Sequence, residues 1–185
     1  MQRSFYMKAT GIVRRIDDLG RIVIPKEIRR TFHIKEGDSL EIYTDRDGEV
    51  IFKKYSPMGE LSEFAAQICD SLHKTTGLTA AVCDRDSIIA ASGSARKELM
   101  DRRISSQIEQ IMENRGAYLA EGKAELPVCG DNSGLCAAAA APILSAGDVM
   151  GCVIFAVPGG NGAFGETENK LAQTAAAFLG RQVEE

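Results

Sequence analysis

Histidine is scarce in this chain, with two in 185 residues. Neither His33 nor His73 stands in a recognised arrangement with a serine or cysteine nucleophile. The sequence also lacks a phosphate-binding P-loop and the glycine fingerprint of a dinucleotide site. The glycine-rich stretch 158–165 reads as a flexible connection into a final helix. These absences point away from an enzyme and call for no cofactor. No apolar run approaches the roughly 20 residues of a membrane-spanning helix, so no membrane partner is expected. Met1–Tyr6 is polar and too short for a secretory signal. With Met7 behind it, it reads either as an upstream start or as an addition.

Cysteine is present but not in a metal-binding pattern. Cys69, Cys83, Cys129, Cys136 and Cys152 make an odd count in a chain without an export signal, which favours reduced thiols in a cytoplasm. Cys129 and Cys136 lack the two-residue spacing of a zinc knuckle, so no metal is expected. Cys83, Cys136 and Cys152 lie in apolar runs, where cysteine acts as a small buried hydrophobe. Cys129, beside Gly130 and Asp131, is expected to be the most exposed thiol.

What is present is an ordinary globular composition, 44% apolar and 26% charged, with an uneven charge distribution. Residues 1–55 hold 12 Lys and Arg against 9 Asp and Glu, a net of +3. Residues 56–185 hold 10 against 17, a net of −7. Such asymmetry suggests an electrostatic task for the basic end and a different task for the acidic one.

The basic end reads as two hairpins and one short helix. Strands are expected at Thr10–Asp17 and Arg21–Ile24 around a turn at Asp18-Leu-Gly20. Pro25 is placed to open a helix through Phe32. Leu40–Thr44 and Glu49–Lys54 flank Asp45-Arg-Asp-Gly48, a strong hairpin signal. So small a segment buries too little apolar surface to fold alone. It has no cysteine and cannot build a metal site, so two chains are expected to share one core.

Pro57 marks a boundary. Beyond it, Leu61, Phe64, Ala65, Ile68 and Leu72 fall at three- and four-residue steps, predicting an amphipathic helix from about Met58 to Lys74. This stripe packs either on its own domain or also against another subunit. Hairpins follow at 78–91 and 135–157, with helices at 97–115 and 166–183. The order suggests an antiparallel sheet carrying helices, an α+β architecture.

Lys8-Ala-Thr-Gly-Ile-Val-Arg-Arg-Ile-Asp-Asp-Leu-Gly-Arg-Ile-Val-Ile-Pro-Lys-Glu-Ile-Arg-Arg30 resembles the AbrB family of swapped-hairpin DNA-binding domains, over about residues 7–56. The whole chain resembles the stage V sporulation protein T family, regulators of forespore genes. The resemblance implies an intertwined β-barrel dimer over 7–56. It implies a linker helix and a GAF-like domain over 57–185, for assembly or for sensing a small-molecule effector. Double-stranded DNA and a second copy of the chain, up to a tetramer, are the implied partners. The implied DNA face is Arg14, Arg21, Arg29 and Arg30, and the basic positions Lys8 and Arg15 lie in the same matching stretch.

Arginine's planar fork suits that role, since it grips phosphate or reaches guanine edges. Asp17 and Asp18 either orient these arginines or are plain turn residues. An antitoxin-type DNA-binding protein is the alternative, which the long structured C-terminal region disfavours. A ligand-sensing regulator unrelated to sporulation is another. Ala80-Ala81, Ala90-Ala91 and 137–141 place small side chains on adjacent strands, which either leave a pocket or let helices approach. The sign of regulation, activator or repressor, is not encoded in these features.

Overall fold

The computed structural model describes residues 10–184 apart from 33, 57, 59, 60 and 131–133. The chain divides into two compact units, Met1–Tyr55 and Ser56–Glu185, and combines helices with antiparallel sheets in an α+β class.

In the first unit, α1 spans Lys26–Thr31, and β1 (Leu40–Thr44) pairs antiparallel with β2 (Val50–Lys54). Pro25 stands just outside α1, at φ −56° and ψ 147°, and its carbonyl accepts the Arg29 amide at 2.9 Å. Glu27 in the first turn and Arg29 and Arg30 in the last complement the helix dipole. Asp45 folds the hairpin loop by accepting the amides of Asp47 and Glu49 at 3.0 and 2.9 Å.

The strands expected at Thr10–Asp17 and Arg21–Ile24 are absent. The turn between them does form: the Asp17 amide donates to the Arg21 carbonyl at 3.0 Å, and Gly20 takes a positive φ of 75°. A strand persists only where a second backbone satisfies its N–H and C=O groups, and no described strand pairs with either segment.

The second unit is built on a five-stranded antiparallel sheet. In chain order its strands are β3 (Thr79–Cys83), β4 (Ile88–Ser92), β5 (Tyr118–Leu119), β7 (Leu135–Ser145) and β8 (Asp148–Pro158), arranged β4-β3-β8-β7-β5. Two short strands, β6 (Lys123–Ala124) and β9 (Gly160–Asn161), pair separately. Both faces of the large sheet are covered. On one lie α2 (Ser62–Thr76) and α5 (Glu166–Glu184), with Phe155, Val153, Ile143 and Leu179 in the core between. On the other lie α3 (Arg96–Leu99) and α4 (Ser106–Asn114), enclosing Ile88, Leu99, Ile108 and Ile154.

The small residues of β3, β4 and β7 are buried, and they serve close approach. A Cβ on Gly180 of α5 would overlap the Leu144 carbonyl oxygen of β7.

Three sequence expectations shift here. The amphipathic helix begins at Ser62, so Leu61 caps it rather than lying within it. The single helix expected at 97–115 is two, because Asp101 turns at φ 61° and Ser105 restarts the chain by accepting the Ile108 amide. Cys129, expected to be exposed, is 2% accessible and packs with Ile104 and Val128 in the core under α4.

Candidate nucleic-acid interface

The first unit carries its cations on the outside. Arg14, Arg15, Arg21, Arg29 and Arg30 are all exposed, and Lys8 lies outside the described residues. The side chains of Arg15, Arg29 and Arg30 make no hydrogen bond or ion pair with another described residue. Arg29 and Arg30 sit in the last turn of α1, where the helix dipole favours positive charge. Among the described residues the Arg14 side chain hydrogen-bonds only to a neighbouring carbonyl, that of Val13, at 3.4 Å.

Arg21 is different. Asp17 gathers it from two directions: one carboxylate oxygen accepts the backbone amides of Leu19 and Arg21 at 3.0 and 2.8 Å. The other accepts the Arg21 Nε at 2.8 Å. Arg21, through its amide and then its side chain, holds the Asp17 carboxyl below the usual carboxylate range. Asp18 makes no such contact among the described residues. Asp17 thus combines the two readings left open for these aspartates: it closes the turn with one oxygen and pairs with an arginine through the other.

Beside Arg14 lies an open groove of about 640 Å³, lined among others by Ile12, Ile22, Val23, Phe32, Val50 and Phe52. Arg14, Lys53 and Lys54 border the same groove. Sequence reasoning passed over both lysines; their place at the end of β2 was the signal. Lys54 is held by Asp38 at 3.3 Å.

In the second unit, the apolar stripe is used within the domain. Ala65 and Leu72 are buried in its core, and Phe64 and Ile68 pack against its edge. The Phe64 and Phe178 rings lie 5.5 Å apart. A shallower groove of about 380 Å³ runs between β7 and α5, bordered by Arg115, Pro142, Gln173 and Arg181. Among the described residues no cluster of His, Cys, Asp or Glu is placed to hold a metal ion. No described helix is long and apolar enough to cross a membrane.

Comparison with known proteins also divides the chain in two, between residues 59 and 60. Residues 60–184 match the family described as stage V sporulation protein T C-terminal, transcription factor. Residues 13–59 match the one described as antidote-toxin recognition MazE, bacterial antitoxin. The transition state regulatory protein AbrB of Bacillus subtilis (strain 168) is 62% identical over 52 residues, which cover 28% of this chain and 53% of that protein. In fold, the second unit is similar to the GAF domain of an Acinetobacter phosphoenolpyruvate-protein phosphotransferase, at 10% identity and a TM-score of 0.51, over 71% of this chain and 84% of that one. An AbrB-like segment is thus followed by a domain of GAF-type fold, and the family model over that domain places the chain among the transcription factors. Stage V sporulation protein T of Bacillus subtilis (strain 168) is 48% identical over 180 residues, 97% of this chain and 100% of that protein. The chain belongs to the stage V sporulation protein T family.

Proposed function

We propose that this chain is a cytoplasmic DNA-binding transcription regulator of sporulation, without catalytic activity, that works as a homo-oligomer. Residues 7–56 form its DNA-binding domain, and residues 57–185 its linker helix and its domain for assembly or sensing. Lys8, Arg14, Arg15, Arg21, Arg29 and Arg30 make up the DNA face. One observation carries this reading: exposed arginines and an uncovered apolar groove coincide in a segment too small to hold a core of its own. A second copy of the segment closes the groove and doubles the cations. If about eight of them met phosphate, log K would fall with log salt at a slope near −7.

The test replaces Arg29 and Arg30 together by Ala in the full chain and measures binding to duplex DNA by fluorescence anisotropy over a salt series. Affinity is expected to drop about 10- to 1000-fold, and the slope to flatten by up to about 3.6 for a dimer losing four phosphate contacts. Arg96→Ala with Lys97→Ala, in the other unit, is expected to change neither. Equal losses from both pairs would refute the assignment.

The Leu61, Phe64, Ala65, Ile68 and Leu72 stripe supports assembly through its half-buried edge, Phe64 and Ile68. Two dimers joined through the C-terminal domains make a tetramer that prefers paired DNA sites, because tethering raises the effective concentration of the second face. Light scattering and binding to one-site and two-site DNA, on the full chain and on 7–56, test this. Effector sensing is the second reading. It rests on the groove that Arg115 and Arg181 border, which suits an anionic metabolite. A thermal-shift screen with carboxylates and phosphates, repeated on Arg115→Ala, separates sensing from assembly alone.

A further inference from the structure

A carboxylate on a DNA-binding surface repels the phosphate backbone, so Asp17 needs a reason to be there. Its geometry supplies one. One oxygen accepts two backbone amides and closes the turn at Gly20. The other accepts the Arg21 Nε at 2.8 Å. That bond uses the side edge of the guanidinium. The two terminal nitrogens make no contact with another described residue, and Arg21 remains 69% exposed.

The distinction matters because the two kinds of DNA contact make different demands. A phosphate contact tolerates a swinging arginine, whereas a bidentate contact to guanine O6 and N7 requires the fork to be aimed. A free arginine loses much rotamer freedom when so fixed, and holding it beforehand removes that cost from binding. We propose that Asp17 is a positioning residue that aims Arg21 at a base edge, making this pair a determinant of sequence preference rather than of general affinity. The proposal rests on the DNA-surface reading above and deepens it.

Asn at position 17 separates the two jobs of the carboxylate. Its Oδ1 still accepts the Leu19 and Arg21 amides, so the turn survives. Its Nδ2 is a donor and cannot accept from the Arg21 Nε, so the arginine is released. The full chain is used to select a preferred duplex from a random pool, and that duplex and its scramble are the two probes. For Asp17→Asn, affinity for the selected duplex is expected to fall about 5- to 50-fold. Affinity for the scramble should hold or rise slightly, because one negative charge per chain is gone. In an Arg21→Ala background the same change should no longer weaken binding to the selected duplex. Asp17→Glu, which restores an acceptor on a longer arm, should recover part of the loss.

Pure electrostatics predicts the opposite sign. If Asp17→Asn tightens binding to both duplexes in parallel, Asp17 only repels DNA and the proposal fails. A pool that yields no preferred duplex overturns it too, since an arginine that reads a base requires one. If Arg21→Ala binds like the parent chain, this proposal falls alone. The DNA-surface reading falls with it if the Arg29 and Arg30 replacement also binds like the parent.

Discussion

The two units of this chain treat apolar side chains in opposite ways. In the second, the strands are sandwiched between helix pairs, and the buried apolar core runs from Met58 to Leu179. In the first, most of the described large apolar side chains are exposed, and Ile24, Ile28, Ile34 and Leu40 are only half-buried. Thirteen of the fifteen large exposed hydrophobics lie between Ile12 and Tyr55. Burial is the main favourable term in folding, so a single copy of the first unit gains far less from it than the second does. The same sequence thus holds one domain with a closed core and one segment whose large apolar side chains are mostly uncovered.

Separation of the units should have the largest effect. Residues 57–185 alone are expected to unfold cooperatively at a midpoint independent of concentration. Residues 7–56 alone are expected to melt at a temperature that rises with concentration, as a folded state tied to association requires. Circular dichroism melts over a hundredfold range of concentration check this. A stable folded monomer of 7–56 by sedimentation would break the comparison.

Single phenylalanines sharpen it. Phe155 is fully buried between β8 and the helices of its face, so Phe155→Ala should destabilise the second unit by about 3–5 kcal/mol. Phe52 is 41% exposed in one chain and lines the open groove. If the groove were simply solvent-facing, Phe52→Ala would be worth about 0.5 kcal/mol or less. If a second copy closes it, the loss approaches that of a core residue, about 3 kcal/mol or more. Denaturant melts of the full chain, followed by probes in each unit, distinguish the two values.

The thiols give a smaller effect that reports on one unit alone, because all five cysteines lie beyond residue 56. Cys69, Cys83, Cys129 and Cys152 are buried, and Cys136 is half-buried. Burial pushes the Cys69 thiol up to about 12 and raises Cys83, Cys129 and the more accessible Cys136 as well. Alkylation of the native chain at pH 8, followed by peptide mapping, should therefore modify Cys136 first and the others only as the second unit opens. Rapid modification of Cys129 would restore the exposure that its loop setting suggested.

That case shows what was legible in the sequence and what was not. The hairpins β3–β4 and β7–β8 and the helix α5 were readable because alternation and helical spacing are local signals. The resemblance of Lys8–Arg30 located the arginines. Cys129 was misjudged because Gly130 and Asp131 follow it in sequence, while Ile104, which bridges to it in space, comes from another segment. The break at Asp101–Ser105 was missed because apolar spacing runs across it, and only the Ser105 cap marks the restart. The strands expected at 10–17 and 21–24 carry the right residues. A strand is a property of two backbones, and no described strand pairs with either segment. The role of Asp17 stayed open for a related reason: sequence spacing does not say which oxygen meets which donor.

The smallest expected difference lies between two exposed carboxylates, one in each unit. Asp17 is held low first by hydrogen bonds from Arg21, with the backbone amide leading. Asp70 is held low first by Lys74, which lies one helical turn away in an ion pair of 2.6 Å. In both, a depressed pKa means that the folded state favours the ionised form. The stabilisation is complete above the ordinary aspartate range and fades as pH falls through the lower, folded value, so both contacts should be intact at pH 5 and weaken only below about pH 4. Their response to salt should differ. At 1 M salt the Debye length is about 3 Å, and an exposed ion pair is largely screened. A backbone amide held within the same turn carries no net charge to screen. Side-chain carboxyl NMR titrations at low and high salt should show the Asp70 pKa moving back toward its ordinary value by more than that of Asp17. Equal movement would mean that Asp17 is held mainly by the charge of the Arg21 guanidinium. The turn itself would then be expected to loosen with salt, and the difference in how the two units fix their carboxylates would disappear.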